Sequence, residues 1–316
     1  MQSNSNPPGG MPAQSARTRK LSPAHRLADD CGEALRYDRT ATRVKTKASH
    51  ASVATDEIRM TTEHRGRHWA SAGCELAQAI INLVFPPRCA ACGCEMEPPV
   101  PSPLLCVTCC QRLTASNRVA CPICASACSE VDLARGDCSR CRNRKLSFAA
   151  SRAIGNYEGE LRQAVLRAKH AAYEPLASAL GTNLATYILQ TPFSQPPQAV
   201  TAVPMHWLKR AWRKTNPAET LARTASQQLG LPFLRRALTC VRYLRRQATL
   251  TPADPRRNVR GAFRALNHAT IRGKRLLLID DVMTTGATAE ECSNALMEAG
   301  AASVVVATIA RASPDF

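Results

Sequence analysis

Aromatic residues account for only 4% of the 316 residues, and no apolar run approaches the roughly 18 residues needed to cross a bilayer. The longest apolar patch near the front, residues 79–85, is short and interrupted by Asn82. The first residues lack the basic-then-apolar pattern of a secretory signal. These absences argue against a membrane span and make a cytoplasmic protein the expectation. A Gly-Lys-Ser/Thr phosphate loop is also missing, which excludes a Walker-type nucleotide site. Acidic residues nearly vanish over 205–275, where two stand against seventeen basic ones. Most of the net charge of +18 therefore sits in one segment, and it calls for a polyanionic partner such as pyrophosphate, nucleic acid or a phospholipid surface. A solvated basic face is the plainer alternative.

Cysteine is abundant instead, with fifteen residues. Without an export signal, that number points to metal rather than to disulfides. Four CxxC pairs follow one another: Cys89/Cys92, Cys106/Cys109, Cys121/Cys124 and Cys138/Cys141. Each CxxC turn offers two thiolates to one side of an ion, and two turns close a tetrahedral zinc site with no open position. Eight ligands fit two structural zincs. The simplest pairing joins the first two turns and the last two, and crossed pairing is equally compatible with the spacing. Cys94, Cys110 and Cys128 are left over within the module.

Residues 1–70 are rich in Ser, Pro, Ala, Thr and Arg, without periodic apolar pattern, and read as disordered or as a spurious N-terminal extension. Residues 71–145 read as a short helix (about 69–85) followed by a double zinc ribbon. Over 146–316 the pattern predicts helices at 158–170, 174–189, 216–229 and 289–299. Strands are expected at 199–205, 238–241, 275–280 and 303–309. That alternation implies an α/β domain, a mostly parallel sheet with helices on both faces.

The most informative stretch is Leu276-Leu277-Leu278-Ile279-Asp280-Asp281-Val282-Met283-Thr284-Thr285-Gly286-Ala287-Thr288. A buried strand ends in two carboxylates, at the edge where open α/β sheets bind ligands. Gly286 permits a positive φ, and the amides of Thr284, Thr285, Gly286, Ala287 and Thr288, with a helix behind them, can nest a phosphate. Asp280 and Asp281 suit the 2′- and 3′-hydroxyls of a ribose, or Mg²⁺ through water. Together they describe a site for a ribose 5-phosphate. This stretch resembles the signature of type I phosphoribosyltransferases, which bind phosphoribosyl pyrophosphate (PRPP).

Further matches narrow the resemblance. Leu105-Cys106-x-x-Cys109, Tyr157-Glu158-Gly159-x-Leu161-Arg162, Lys169, Val203-Pro204-Met205, Arg213-x-x-Asn216, Gln247, Arg257-Asn258-Val259 and Gly261-Ala262-Phe263 precede the acidic signature in that order. The sequence from about 78 to 311 is similar to the ComF family. The family's Arg-Gly-Phe-Asn-Gln reads Arg213-Lys214-Thr215-Asn216-Pro217 here. The resemblance implies a type I phosphoribosyltransferase-like domain over 146–316, PRPP as substrate with Mg²⁺, and a link to DNA uptake. Competence or recombination proteins would then be partners.

Lys209 and Arg210, in the loop expected after the 199–205 strand, are candidate pyrophosphate contacts with Arg213, or part of a patch facing nucleic acid. Arg256, Arg257 and Asn258 are candidates for a lid. His206 reads as a packed or capping histidine, and Lys169 as a surface or C-cap residue. Met205, Trp207 and Trp212 read first as core packers and second as stacking platforms for bases. Two functions stand side by side: a phosphoribosyltransferase with an unidentified acceptor, and a non-catalytic module for single-stranded DNA.

Overall fold

The computed structural model describes residues 86–96, 104–114, 119–136, 138–142, 144–244 and 254–312. The 1–70 segment, the helix expected at 69–85, and Gln247 lie outside them, and of Arg256 only the backbone is described.

The centre is a four-stranded parallel sheet: β1 (Ala150–Asn156), β2 (Ala199–Ala202), β5 (Arg275–Met283) and β6 (Ser303–Arg311), in the order β1-β6-β5-β2. A separate antiparallel pair joins β3 (Leu238–Cys240) to β4 (Phe263–Ala265). Helices cover both faces of the parallel sheet, as the alternation implied. Leu276, Leu277, Leu278 and Ile279 of β5 are all fully buried. A strand flanked by neighbours and covered above and below needs apolar side chains at every position, which is why the run does not alternate.

One face of the sheet, with Leu277, Ile279 and Val305, packs on helices α3 (Gly159–Ala168), α4 (Glu174–Gln190) and α6 (Pro217–Gln228). The other, with Leu276, Leu278 and Val306, packs on α9 (Ala287–Glu298) and the β3–β4 pair. Helices α4 and α6 approach closely at Gly181, where a Cβ would lie 2.8 Å from the Leu221 carbonyl oxygen.

The two cysteine turns nearest the front are part of this core: Cys89, Met96, Leu105 and Leu113 pack with α3 and α4. Between the turns, Cys106 caps α1 (Val107–Leu113) by accepting the Cys109 N–H. The second pair of turns forms its own small cluster with Ile123, Cys128 and Leu146. Between its two turns the chain forms α2 (Glu130–Arg135), which is exposed, capped by Ser129 and stopped by Gly136 in the left-handed region.

Two expectations need correction. The basic segment after β2 is not a loop but helix α5 (Trp207–Arg213), with short helices α7 (Asp254–Val259) and α8 (His268–Ile271) later in the chain. Trp207 and Trp212 are not core residues: they are 66% and 75% exposed. A seven-residue helix flanked by Lys and Arg has no wide apolar face to bury, so its tryptophans stay in water.

Candidate functional site

β5 carries its acids beyond the end of its apolar run. Side chains alternate along a strand, so Asp280 continues the face of Leu276 and Leu278, and Asp281 that of Leu277 and Ile279. Both nevertheless line one cavity of about 910 Å³ that wraps the carboxyl end of the sheet, together with Thr284 and Thr288. Tyr157, Lys169, Lys209, Arg213, Asn216 and Asn258 line it from other elements.

The acids sit in a demanding setting. Burial, and then the neighbouring Asp281 charge, push the Asp280 carboxyl well above its ordinary range. Its Oδ1 accepts the Asp281 N–H at 2.9 Å, and Asp281 Oδ1 accepts the Val282 N–H at 2.8 Å. Lys169 Nζ stands 3.2 Å from Asp281 Oδ2. Burial alone would lower the Lys169 pKa, but Asp281, Tyr157 and Asp280 outweigh it and raise it. Lys169 is the C-cap residue of α3, as expected, yet its side chain belongs to the site rather than to the surface.

The turn after β5 divides its threonines. Thr284 and Thr288 face the cavity, whereas Thr285 Oγ1 accepts the Ala287 N–H at 3.3 Å and so caps α9. Gly286 has φ +79°, and a Cβ there would meet only Met283 Sδ at an ordinary 3.6 Å. The backbone conformation, not lack of space, calls for glycine. Ala287 opens α9, whose first N–H groups have no partner within the helix.

The basic candidates also separate. Lys209 lines the cavity, but Arg210 does not: its Nη1 donates to Glu219 at 2.7 Å, where Arg235 and Arg223 converge as well. Burial would raise the Glu219 carboxyl, but hydrogen bonds and charge from Arg235 and Arg210 hold it below its ordinary value. A buried carboxylate within reach thus takes the arginine that sequence assigned to pyrophosphate. His206 caps α5, its Nδ1 accepting the Leu208 N–H at 3.3 Å. Asn216 is buried and donates to the Val203 carbonyl.

One residue at the site had no signal in the sequence. Arg311, at the end of β6, is 5% exposed and donates to the carbonyls of Cys124, Met283 and Thr284. A single arginine at the end of a β-rich run reads as a strand terminus. Only the fold reveals that it bridges a cysteine turn and the turn after β5.

The cysteines assemble as the simplest pairing expected. Cys89, Cys92, Cys106 and Cys109 form one group and Cys121, Cys124, Cys138 and Cys141 the other, with the sulfurs of each group within 4.8 Å of one another. A tetrahedral zinc with Zn–S near 2.3 Å requires sulfurs about 3.8 Å apart. The separations are 3.8 Å for Cys92–Cys106, 3.6 Å for Cys121–Cys141, 3.4 Å for Cys124–Cys138 and 3.7 Å for Cys138–Cys141. Both groups fit such an ion, and four thiolates leave no position for catalytic water.

Metal analysis of the purified chain is expected to find about two zinc ions per chain; a metal-free protein would contradict this. The Asp280 environment carries a second expectation. A carboxyl whose folded pKa is raised favours the folded state while protonated, and that contribution is lost as pH rises through the folded pKa. At neutral pH Asp280→Asn should therefore stabilise the protein, with the gain disappearing at acidic pH. Denaturant titrations at two pH values check it, and a loss of stability at neutral pH would contradict it.

No protein-family model matches the chain. Among curated proteins it is similar to DNA utilization protein YhgH of Escherichia coli strain K12, 28% identical over 206 residues, covering 64% of this chain and 88% of that protein. Competence protein F of Haemophilus influenzae is 28% identical over 195 residues, covering 60% and 85%. Among solved structures, glutamine PRPP amidotransferase from B. subtilis aligns at 23% identity and a TM-score of 0.29, over 42% of this chain and 26% of that one. Adenine phosphoribosyltransferase from Leishmania tarentolae aligns at 22% and 0.26, over 41% and 54%. The chain thus spans only about a quarter and a half of those two proteins, and its fold class rests on the strand order and helices described above. With curated relatives of these names, and two four-cysteine groups ahead of a parallel sheet, the resemblance to the ComF family is borne out.

Proposed function

We propose that the cavity binds PRPP and that the protein transfers ribose 5-phosphate from it to a nucleophile. The observation that carries this reading is the convergence of Asp280, Asp281, Thr284 and Thr288 on one cavity that also holds Lys169, Lys209 and Arg213. Asp280 and Asp281 accept the ribose hydroxyls. The amides of Thr284, Thr285 and Gly286 and the hydroxyls of Thr284 and Thr288 donate to the 5-phosphate, whereas the Ala287 N–H is taken by Thr285 Oγ1. Lys209 and Arg213, across the cavity, neutralise the pyrophosphate. The C1–oxygen bond to pyrophosphate breaks with its electron pair, the bond from C1 to the acceptor forms, and the acceptor loses a proton. Positioning and charge neutralisation do most of the work in such a transfer. Mg²⁺, when bound through Asp280 or Asp281 and water, supplies further neutralisation of the leaving group. Domain boundaries at about 70 and 145 accompany this reading, with the two four-cysteine groups as zinc-bearing scaffolding.

Calorimetric titration of PRPP is expected to show affinity that falls about tenfold or more without Mg²⁺, and again in Asp280→Asn/Asp281→Asn. Equal affinity with and without Mg²⁺ in both proteins would overturn the reading.

A second reading, a module for single-stranded DNA, draws on α5. Trp207 and Trp212 are exposed there among Lys209, Arg210, Arg213 and Lys214, and Trp212 reaches the cavity rim. Exposed aromatic faces interleaved with cations suit stacked bases and phosphates. The names of the curated relatives, DNA utilization and competence, agree with it. Binding of a labelled oligothymidine should weaken by at least about tenfold between roughly 50 and 200 mM salt. Trp207→Ala/Trp212→Ala should cost a further factor of about ten. Affinity indifferent to both changes would remove this reading.

A further inference from the structure

We propose that Arg311 is a positioning residue through which the second cysteine group sets the shape of the phosphate turn, so that metal in that group governs affinity for a sugar phosphate. The ligand half of this statement rests on the PRPP reading above; the mechanical half does not.

The contacts form a short chain. Arg311 Nε donates to the Cys124 carbonyl at 2.9 Å, and Nη1 donates to the carbonyls of Met283, at 2.8 Å, and Thr284. Arg144, just beyond Cys141, donates to the Thr285 carbonyl at 3.4 Å. Three consecutive peptide groups, after residues 283, 284 and 285, are thereby held by two arginines. In a planar trans peptide the N–H points opposite to the C=O. Fixing these carbonyls on the side of the cysteine group aims the N–H groups of Thr284, Thr285 and Gly286 the other way, as a phosphate nest requires. A third link reaches α9, where Glu290 accepts from both the Ser147 N–H and its hydroxyl at 3.0–3.1 Å.

The far end of the chain is equally tied. The Pro122 carbonyl accepts from the Ser151 N–H at 3.1 Å and the Ile123 carbonyl from Ser151 Oγ at 2.9 Å. With the Cys124 carbonyl on Arg311, three successive carbonyls of the turn, those of Pro122, Ile123 and Cys124, are taken by residues of β1 and β6. The turn closes its own backbone, with the Ala125 N–H on the Cys121 carbonyl and the Cys121 N–H on the Ser126 carbonyl, both at 2.9 Å, while among the described residues the apolar support of the four-sulfur group is limited to Ile123, Cys128 and Leu146. A cluster this small depends on its metal for structure. The first cysteine group differs, because it shares the main core with α3 and α4 and makes none of these contacts with residues 283–290.

Amide hydrogen exchange on the ligand-free full chain tests the coupling. In Arg311→Lys, and in Cys138→Ser/Cys141→Ser, amides at 284–286 should exchange about tenfold faster. In Cys106→Ser/Cys109→Ser they should stay near the wild-type rate. Ribose 5-phosphate affinity should fall about tenfold in the first two variants, while pyrophosphate affinity holds. Unchanged exchange at 284–286 in both variants overturns the proposal. So does protection lost equally through β5 and α4, which would make the group a general requirement of the fold. Should the variants fail to fold, chelation of the intact protein replaces them, and exchange at 284–286 that neither rises on chelation nor recovers on adding zinc overturns it too. A wild-type protein that binds no ribose 5-phosphate would defeat the PRPP reading, and the exchange result would still decide the coupling.

Discussion

Two carboxylates held side by side at the end of a strand buried on both faces are the constraint around which this site is organised. Removing Asp280 from water raises its pKa, and the adjacent Asp281 raises it further. An arrangement of that kind is costly for folding unless cations or ligand hydroxyls compensate. Lys169 answers part of the demand at 3.2 Å from Asp281. The rest of the cavity, open at the sheet end and lined by hydroxyls, amides and further cations, is what a polyhydroxylated, anionic ligand would complete. Stability given up at a site before its ligand arrives is the usual mark of function rather than of packing.

Positive charge is distributed with similar economy. The 205–275 segment looks like one polyanion-binding surface when counted, but the fold divides it. Arg210, Arg223 and Arg235 converge on Glu219, a buried acid that would otherwise be uncompensated. Arg242 donates to the carbonyls of Asn258 and Arg260, and Arg275 to that of Pro196. Lys209 and Arg213 face the cavity. Net charge therefore overstates the anion-binding surface, because several cations serve internal carbonyls and one carboxylate.

What could be read from sequence was whatever depends on local pattern. The β5 run, the acids after it and the left-handed Gly286 are contiguous, and each has a conformational reason to stand where it does. The cysteine turns group in the simplest of the pairings that their spacing leaves open, adjacent CxxC turns reaching one site with the least chain. Lys169 is the helix C-cap that its place in the sequence suggests, and nothing near it in sequence reveals that Asp281 lies opposite. The partner of Arg210 is hidden for a similar reason: Glu219, nine residues on, looks like an ordinary helix N-terminal acid until the fold buries it. The exposed tryptophans of α5 reverse the usual prior for that residue, and only the helix's short, basic surroundings explain why.

Arg311 marks the limit of such reading most clearly. It lies 28 residues from Met283 and 187 from Cys124, and it meets both because β6 runs parallel beside β5 while the Cys121–Cys124 turn lies against β1 and β6. Parallel pairing brings the carboxyl ends of neighbouring strands to the same edge, so a residue closing β6 necessarily arrives beside the turn closing β5. A long, multi-donor side chain at that position can satisfy several carbonyls at once, which no apolar residue could do without leaving them unpaired in a buried place. The cysteine group that supplies the turn has a small apolar setting of its own among the described residues: Ile123, Cys128 and Leu146. The contact geometry thus joins a four-cysteine turn to the backbone that follows the two acids, across elements that are far apart in the sequence.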